Sequence, residues 1–166
     1  MSLVQIKPEE LRGNPFQVLN DWMLLTAGDR ERFNTMTVSW GGLGVLWGRP
    51  VATVYVRPQR YTYEFMESSG FFTLSAYPQA MHPALALFGS KSGREIDKAA
   101  ACGLRPVSGD GGVWFEGAKL VLCCRKLYFQ DIDPRGFLDS GIMKNYAGDD
   151  YHRMYIGEIL SVLAEK

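Results

Sequence analysis

Short segments that favour β-strands, separated at irregular intervals by short segments that favour helices, constrain the fold of this chain most strongly. The clearest strand is Pro50–Val56, which is rich in β-branched residues. The spacing is too irregular for repeated βαβ units, so a doubly wound parallel sheet is disfavoured. We predict six strands, at Trp22–Ala27, Thr35–Trp40, Pro50–Val56, Phe71–Ala76, Lys119–Gln130 and Tyr155–Leu163. The predicted class is mainly β with inserted helices (α+β), closed or nearly closed into a barrel.

Local signals place short helices between these strands. Asn14 followed by Pro15 is the pattern of a helix N-cap with proline at the first helical position. Gly70 and Gly103 are predicted to end the helices that precede them. The predicted helical segments are Lys7–Leu11, Pro15–Asn20, Tyr63–Ser68 with Thr62 as its cap, Pro83–Phe88 and Glu95–Cys102. A length of 166 residues is ordinary for one domain, so we expect residues 1–166 to form a single domain.

Composition and residue spacing exclude several classes of protein. Eighteen basic residues balance eighteen acidic ones, so the chain lacks the basic excess of a nucleic-acid-binding protein. No apolar run approaches the ~20 residues of a membrane span, and the N-terminus lacks the pattern of a signal peptide. We therefore expect a cytoplasmic protein. Cys102 and the adjacent Cys123 and Cys124 make a poor disulfide framework and fit ordinary thiols in or near the core.

Motifs of several common site types are missing. Within the glycine-rich stretch Gly41–Gly48, Trp47 occupies the place of the third glycine of a dinucleotide fingerprint. The stretch Gly89–Gly93 lacks the spacing of a phosphate-binding Walker A loop. Only two histidines occur, far apart and without a CxxC pair, so no metal site is expected. No GxSxG elbow supports a serine hydrolase.

Three polar clusters carry the groups that bind an anion. They are Asn34–Trp40, Val56–Thr62 and Gly89–Lys98, and each supplies hydroxyls, while the last two add cations. Hydroxyls, guanidinium groups, an ammonium and glycine-freed backbone amides suit a phosphate dianion. Plainer explanations stay open: the first cluster also fits a half-buried strand, the arginines fit solvated charges, and the glycine-containing loop fits a flexible connection.

Four segments carry a resemblance to a known family. NTMTVSWGGLG, VRPQRYTYEF, GSKSGREIDK and DYHRMYIGEI follow one another as in the flavin reductase-like, FMN-binding split-barrel family, and the chain most resembles its flavoredoxin branch. The resemblance covers about Pro8 to Leu163. It implies a split β-barrel with Greek-key topology, FMN as the cofactor, and a homodimer with FMN near the subunit interface.

The resemblance also implies roles for individual residues. Around the phosphate it places Arg57, Arg60, Ser90, Lys91 and Ser92, with Thr62 as a further candidate and Tyr61 in the same cofactor-binding set. Along the ring and ribityl chain it places Asn34, Thr35, Met36, Thr37, Ser39 and Trp40. Because side chains alternate along a strand, some of these would offer only backbone groups. Asp97 and Lys98 would orient the phosphate loop or pair with each other.

His152 is the candidate catalytic residue. The family places a histidine near the open side of the flavin, although a surface or interface histidine fits position 152 equally well. By resemblance the leading activity is an NAD(P)H-dependent flavin reductase, in which hydride passes from the nicotinamide to flavin N5. The alternative is an FMN-bearing electron carrier that works with a redox partner protein, since no nicotinamide fingerprint is recognisable. A barrel that holds another flat anion is a remote third hypothesis.

Overall fold

The computed structural model describes residues 3–14, 22–109, 111–146 and 148–165. Strands dominate this part of the chain. They are β1 Leu3–Ile6, β2 Met23–Gly28, β3 Phe33–Val38, β4 Gly41–Leu46, β5 Arg49–Val56, β6 Phe71–Ala76, β7 Pro106–Gly109, β8 Gly112–Phe115, β9 Leu120–Asp131 and β10 Arg153–Glu165. The helices are α1 Tyr61–Ser68, α2 His82–Ser90 and α3 Lys98–Ala101, and 3₁₀ turns occupy Pro8–Glu10, Gln79–Met81, Pro134–Gly136 and Ser140–Asn145.

The main sheet is antiparallel and curls into a barrel with a seam. Its strand order is β3-β2-β6-β9-β10-β5-β4, and β1 pairs with the far end of β10, beyond the part that pairs with β5. Its two edge strands, β3 and β4, are joined by Ser39 and Trp40 alone, a connection that reaches roughly 11 Å at most. The two edges therefore lie near each other, and the sheet is a split barrel. The predicted mainly β class with inserted helices is confirmed.

Apolar side chains form two cores, one on each side of the strands at the centre of the sheet. Neighbours in β2 illustrate this: Leu25 belongs to the first core and Leu24 to the second. α1 covers the first core with Phe65 and Met66, and α2 covers the second with Leu85 and Phe88. Because β2 is buried on both faces, its sequence is a nearly continuous apolar run, interrupted by the buried Thr26, without alternation. The two helices are thereby held on either side of edge strand β3, which they both contact.

Some elements differ from the sequence prediction. β4 was not predicted, since Gly41, Gly42 and Gly44 lower its β propensity; it forms because six residues pair with β5. β1 and the β7–β8 hairpin were also not predicted. The predicted helix Glu95–Cys102 is wrong in its first half, where Glu95 and Ile96 instead close a turn on the Ser92 carbonyl. The predicted helix Pro15–Asn20 lies outside the described residues.

α1 begins two residues earlier than predicted. Arg60, not Thr62, is its N-cap residue, and Thr62 lies within the first turn with its side chain buried. The expected role of Thr62 as the cap of this helix is therefore wrong, and its hydroxyl is hydrogen-bonded to the Asn34 side chain. Within the described residues, no helix is both long and apolar enough to cross a lipid bilayer.

Candidate functional site

The three polar clusters meet at one small pocket beside the edge strand β3. The pocket has a volume of about 90 Å³. It is lined by Asn34, Gln59, Arg60, Tyr61, Thr62, Ser90, Lys91, Ser92, Gly93 and Lys98. Sites for drug-sized ligands usually measure ~300–1,000 Å³, so this pocket has room for one charged group of a ligand and not for a whole cofactor. We call it the anion pocket.

Arg60 joins the two helices that flank the anion pocket. Its backbone caps α1, and its guanidinium donates to the carbonyls of Gly89 (2.6 Å) and Phe88 (3.2 Å) at the C-terminal end of α2. Burial lowers the pKa of Arg60, and the group stays charged because an arginine pKa begins above 12. Two of its five N–H donors are accounted for by these carbonyls. The remaining donors are the ones that a bound anion would accept from.

Asn34 and Gly93 lie against each other in the wall of the pocket. Asn34 is 7% exposed, and with its amide oxygen towards α1 it accepts from the Thr62 hydroxyl at 2.7 Å and the Thr62 backbone N–H at 3.2 Å. Asn34 thus pairs with the backbone N–H of Thr62 in the first turn of α1. The N-cap residue Arg60 makes no side-chain hydrogen bond to this turn. A Cβ at position 93 would lie 2.1 Å from the Asn34 amide and 3.1 Å from the Tyr61 ring. Glycine is therefore required for the Ser90–Gly93 loop to approach this closely.

Lys98 is the most deeply buried charged residue of the pocket, with 5% of its surface exposed. Its ammonium donates to the carbonyl of Thr35 in β3 and lies 3.5 Å from the carbonyl of Phe88. Burial, reinforced by the nearby Arg60 charge, lowers the pKa of Lys98 to about 8. Asp97 does not pair with it, because that carboxylate caps α3 by accepting from the Ala100 amide at 3.0 Å. Of the two sequence hypotheses for these residues, mutual pairing is wrong.

The side chains of β3 are mostly used by the fold. Thr35 lies 3.0 Å, hydroxyl to hydroxyl, from Thr26, Met36 is in the first core, and Thr37 donates to the Leu85 carbonyl of α2. The Thr35 carbonyl accepts a hydrogen bond from Lys98, so it points away from β2. Since backbone groups alternate in direction along an antiparallel strand, the N–H and C=O groups of residues 33, 35 and 37 are all unpaired with β2 and lie at the edge of the sheet. Along this strand, only the Asn34 side chain lines the pocket. Ser39 and Trp40 are exposed beyond it.

Arg57 lies apart from the anion pocket, which its side chain does not line. Its guanidinium pairs with Asp150 and donates to the Asn145 carbonyl at 2.8 Å, and it lies over the Tyr146 ring. Asp150 also accepts from Gln59, which does line the pocket, at 2.5 Å. Arg57 is thus connected to the anion pocket through Asp150 and Gln59.

His152 is buried in an aromatic cluster that adjoins the turn between β3 and β4. Its Nδ1 lies 3.0 Å from the Tyr146 hydroxyl, and its ring lies 5.0 Å from Trp40 and 6.5 Å from Tyr55, centroid to centroid. Burial first, and then the Arg57 charge, lower the pKa of His152 to about 4. The imidazole is therefore neutral at pH 7, which suits a hydrogen-bond donor or acceptor and not a cation.

Three pocket residues were absent from the predicted cofactor-binding set: Gln59, Gly93 and Lys98. All three lie inside the polar clusters of the sequence, so the clusters were the available signal. What the sequence did not reveal was which members of each cluster face inward. The predicted residues Asn34, Arg60, Tyr61, Thr62, Ser90, Lys91 and Ser92 line the pocket, whereas Thr35, Met36, Thr37, Ser39, Trp40, Arg57 and His152 do not.

A larger cavity of about 600 Å³ adjoins the anion pocket and shares four of its residues, Asn34, Tyr61, Gly93 and Lys98. Its other walls include aromatic side chains, among them Phe33, Phe65, Phe88 and Phe115. Lys98 thus lines both the anion pocket and this larger cavity, whose walls combine aromatic with charged side chains. In the part of the chain that the structure describes, no cluster of His, Cys, Asp and Glu side chains forms a metal site.

Comparison with known proteins supports the fold. The family model described as "Flavin reductase like domain" matches residues 19–166. No curated protein matches the sequence.

Among solved structures, the chain is similar to the FMN-binding domain of a flavin reductases-like enzyme from Shewanella baltica OS155 (TM-score 0.71, 20% identity, 98% of this chain and 76% of that one). It is also similar to the flavoredoxin of Desulfovibrio vulgaris (Miyazaki F) (TM-score 0.69, 24% identity, 97% and 77%). A third similar structure is the NADH:FAD oxidoreductase of Streptomyces globisporus C-1027 (TM-score 0.62, 17% identity, 85% and 73%).

Proposed function

This chain belongs to the family of proteins with a flavin reductase-like domain, and from that premise we propose that it is an FMN-binding oxidoreductase. Similar structures are those of an FMN-binding domain, a flavoredoxin and an NADH:FAD oxidoreductase, and the reductase and the electron carrier both remain hypotheses for this chain. The family membership supports a flavin cofactor. The anion pocket supports FMN as that flavin.

One observation carries the FMN proposal: a buried cation, Lys98, and a half-buried one, Arg60, share one carbonyl and have no carboxylate partner among the described residues. Arg60 lies 3.2 Å and Lys98 3.5 Å from the Phe88 carbonyl oxygen, and the other acceptors of both groups are backbone carbonyls. Two like charges held this close repel each other unless an anion lies between or beside them. The pocket adds the Ser92 hydroxyl and the N-terminal end of α1, whereas the hydroxyls of Thr62 and Ser90 already donate to the Asn34 amide and the Ala86 carbonyl. This donor set fits a phosphate monoester, the group that distinguishes FMN from riboflavin.

Around that phosphate, Arg60, Lys91, Lys98 and the Ser90–Ser92 loop would hold the charge. The edge of β3 would offer backbone amides and carbonyls to the rest of the cofactor, in the direction of Trp40. FMN, when bound, supplies the redox chemistry, because its ring accepts a hydride at N5 and releases the electrons onward. The chain's own contribution is to position the flavin ring and to provide hydrogen-bond donors near it. His152, which is neutral at pH 7, would be one such donor or would orient another donor.

We further propose that the protein is a homodimer. A patch of exposed apolar side chains lies at the β4–β5 turn and on β9, and it includes Val45, Leu46, Trp47 and Tyr128. The Trp47 and Tyr128 rings are in edge-to-face contact, 6.2 Å between centroids, and Trp47 is 59% exposed. Exposed aromatic patches of this kind are typical of protein interfaces.

Light scattering tests the homodimer and should give twice the 18.6 kDa mass of one chain. A measured mass equal to that of one chain would contradict the dimer.

Anaerobic reduction separates the reductase from the electron carrier. The purified protein, loaded with FMN, should be yellow and should release its flavin absorbance on denaturation. We expect NADH or NADPH to bleach the bound flavin within seconds, faster than either bleaches free FMN at the same concentration. Bleaching by dithionite but by neither nicotinamide would overturn the reductase and leave the carrier. A protein that takes up no FMN at all would overturn both.

A further inference from the structure

We propose that Lys98 recognises the FMN phosphate in its ammonium form only, so that FMN binding at this site is coupled to the uptake of up to one proton. This inference rests on the proposed function, because it concerns the same anion pocket. It assigns Lys98 a role in selecting FMN over unphosphorylated riboflavin. It also makes the affinity for FMN dependent on pH between 7 and 9.

The geometry leaves one donor of Lys98 for a ligand. An ammonium group has three N–H donors, and the structure provides two acceptors, the carbonyls of Thr35 and Phe88. The side chain lines the anion pocket and is 5% exposed, so water has little access to it. A buried cation that only neutral carbonyls solvate lacks most of the stabilisation that a counter-charge provides. A phosphate in the anion pocket would supply that counter-charge.

Several of the elements packed against Lys98 carry charged or titratable groups. From α1 and the residue before it come Arg60 and the Tyr61 hydroxyl, and from the loop after α2 comes Lys91, all on the side of the anion pocket. On the side of the larger cavity lie Glu31, Arg32 and, on the element of Lys98 itself, Asp97. The Asp97 carboxylate is used as the cap of α3. Among these groups Arg60 acts electrostatically on Lys98, and its positive charge favours the neutral amine.

The direction of the pH effect follows from these surroundings. The pKa of Lys98 is lowered to about 8 by burial and by Arg60, so near pH 8 about half of the free protein carries a neutral amine. A phosphate dianion stabilises the ammonium form and raises this pKa on binding. Between the free and bound pKa values the complex holds more protons than the free protein, and affinity must fall as pH rises. FMN itself stays dianionic across this range, since the second phosphate pKa is about 6.

Titration of the wild-type protein with FMN at several pH values, followed by flavin fluorescence, tests the inference. We expect the Kd to be roughly ten-fold higher at pH 9 than at pH 7, because at one pH unit above a pKa of about 8 only about a tenth of Lys98 is charged. Riboflavin, which lacks the phosphate, should show no such change. Calorimetry at pH 8 in two buffers of different ionisation enthalpy should detect uptake of about half a proton per FMN bound.

Two substitutions assign the proton to Lys98. Lys98→Met should weaken FMN binding at pH 7 by roughly ten-fold and make the Kd the same at pH 7 and 9. Lys98→Arg, whose charge is permanent, should bind FMN as tightly at pH 9 as at pH 7. Lys91→Met is the matched control: it removes an exposed ammonium from the same pocket and should leave the pH dependence intact.

The outcomes separate this inference from the function on which it rests. FMN binding with the same Kd at pH 7 and 9, and no proton uptake, overturns the role of Lys98 and leaves the flavoprotein. A pH dependence that persists in Lys98→Met also overturns it, because another group then takes the proton. If either variant fails to fold, the proton count of the wild-type protein still decides. No binding of FMN at any pH overturns both proposals.

Discussion

Replacing Arg60 by alanine should weaken FMN binding by roughly ten-fold or more while leaving the much weaker binding of riboflavin unchanged. A charge-assisted hydrogen bond is typically worth ~1.5–3 kcal/mol, which corresponds to a factor of roughly ten to a hundred and fifty in affinity. Arg60 lines the anion pocket and is half-buried, so solvent screens its charge less than that of a surface arginine. Fluorescence titration with each flavin measures both affinities.

Comparison of the two flavins also separates recognition from folding. Arg60 binds the end of α2, and its loss would shift this helix slightly whichever flavin is present. A change confined to FMN therefore reports the phosphate. Lys91→Ala, which removes an exposed charge from the same pocket, should also weaken FMN binding about ten-fold, whereas Arg135→Ala, in an exposed turn remote in sequence from the pocket residues, should not. Unchanged FMN titrations for both pocket variants would refute the phosphate assignment.

Alanine at position 157 should lower the free energy of unfolding by about 3 kcal/mol, near the upper end for overpacking a core. Gly157 is buried in β10 at a shift of the register with β9. An added Cβ would lie 2.5 and 2.6 Å from two ring carbons of Phe72 and 3.0 Å from the Cβ of Cys124. Both neighbours are fully or almost fully buried, so neither can move aside without disturbing the core.

Thermal unfolding measures the effect, which for a chain of this size corresponds to roughly 6–12 °C. Gly44→Ala is the matched control, because Gly44 also lies in a strand, but a methyl group added there would meet no atom within 4 Å and its backbone does not need a positive φ. That variant should unfold within about 0.5 kcal/mol of the wild type, since exposed strand positions tolerate alanine. Equal stability of the two variants would show that β10 yields at position 157 and would contradict the prediction.

Local signals in the sequence were sufficient for the elements with strong propensities. β5 and β6 were predicted to within one residue, because β-branched and aromatic residues bounded by turns favour strands wherever they occur. β4 was not predicted, because three of its first four residues are glycine and only pairing with β5 makes it a strand. The fold family followed from four segments in order, and the family match over residues 19–166 confirms it.

The sequence predicted which kinds of residue form the candidate site but not how they are arranged in space. The polar clusters showed that groups suited to an anion occur in three distant segments, and seven of the predicted residues line one pocket. The two arginines of the second cluster, Arg57 and Arg60, were equivalent in the sequence. In the structure Arg57 pairs with Asp150, a residue ninety-three positions away, while Arg60 turns towards α2 and the pocket.

The sequence by itself determined the strand-rich class, the family and the supply of cations and hydroxyls, because these depend on residue identity and on contacts between near neighbours. Only the tertiary structure decided which ionisable side chains are buried away from water. Lys98 and His152 are separated from solvent by residues from other elements, and that separation moves their pKa values to about 8 and about 4. Desolvation depends on what packs against a group in space, and that information is not present in the residues beside it along the chain.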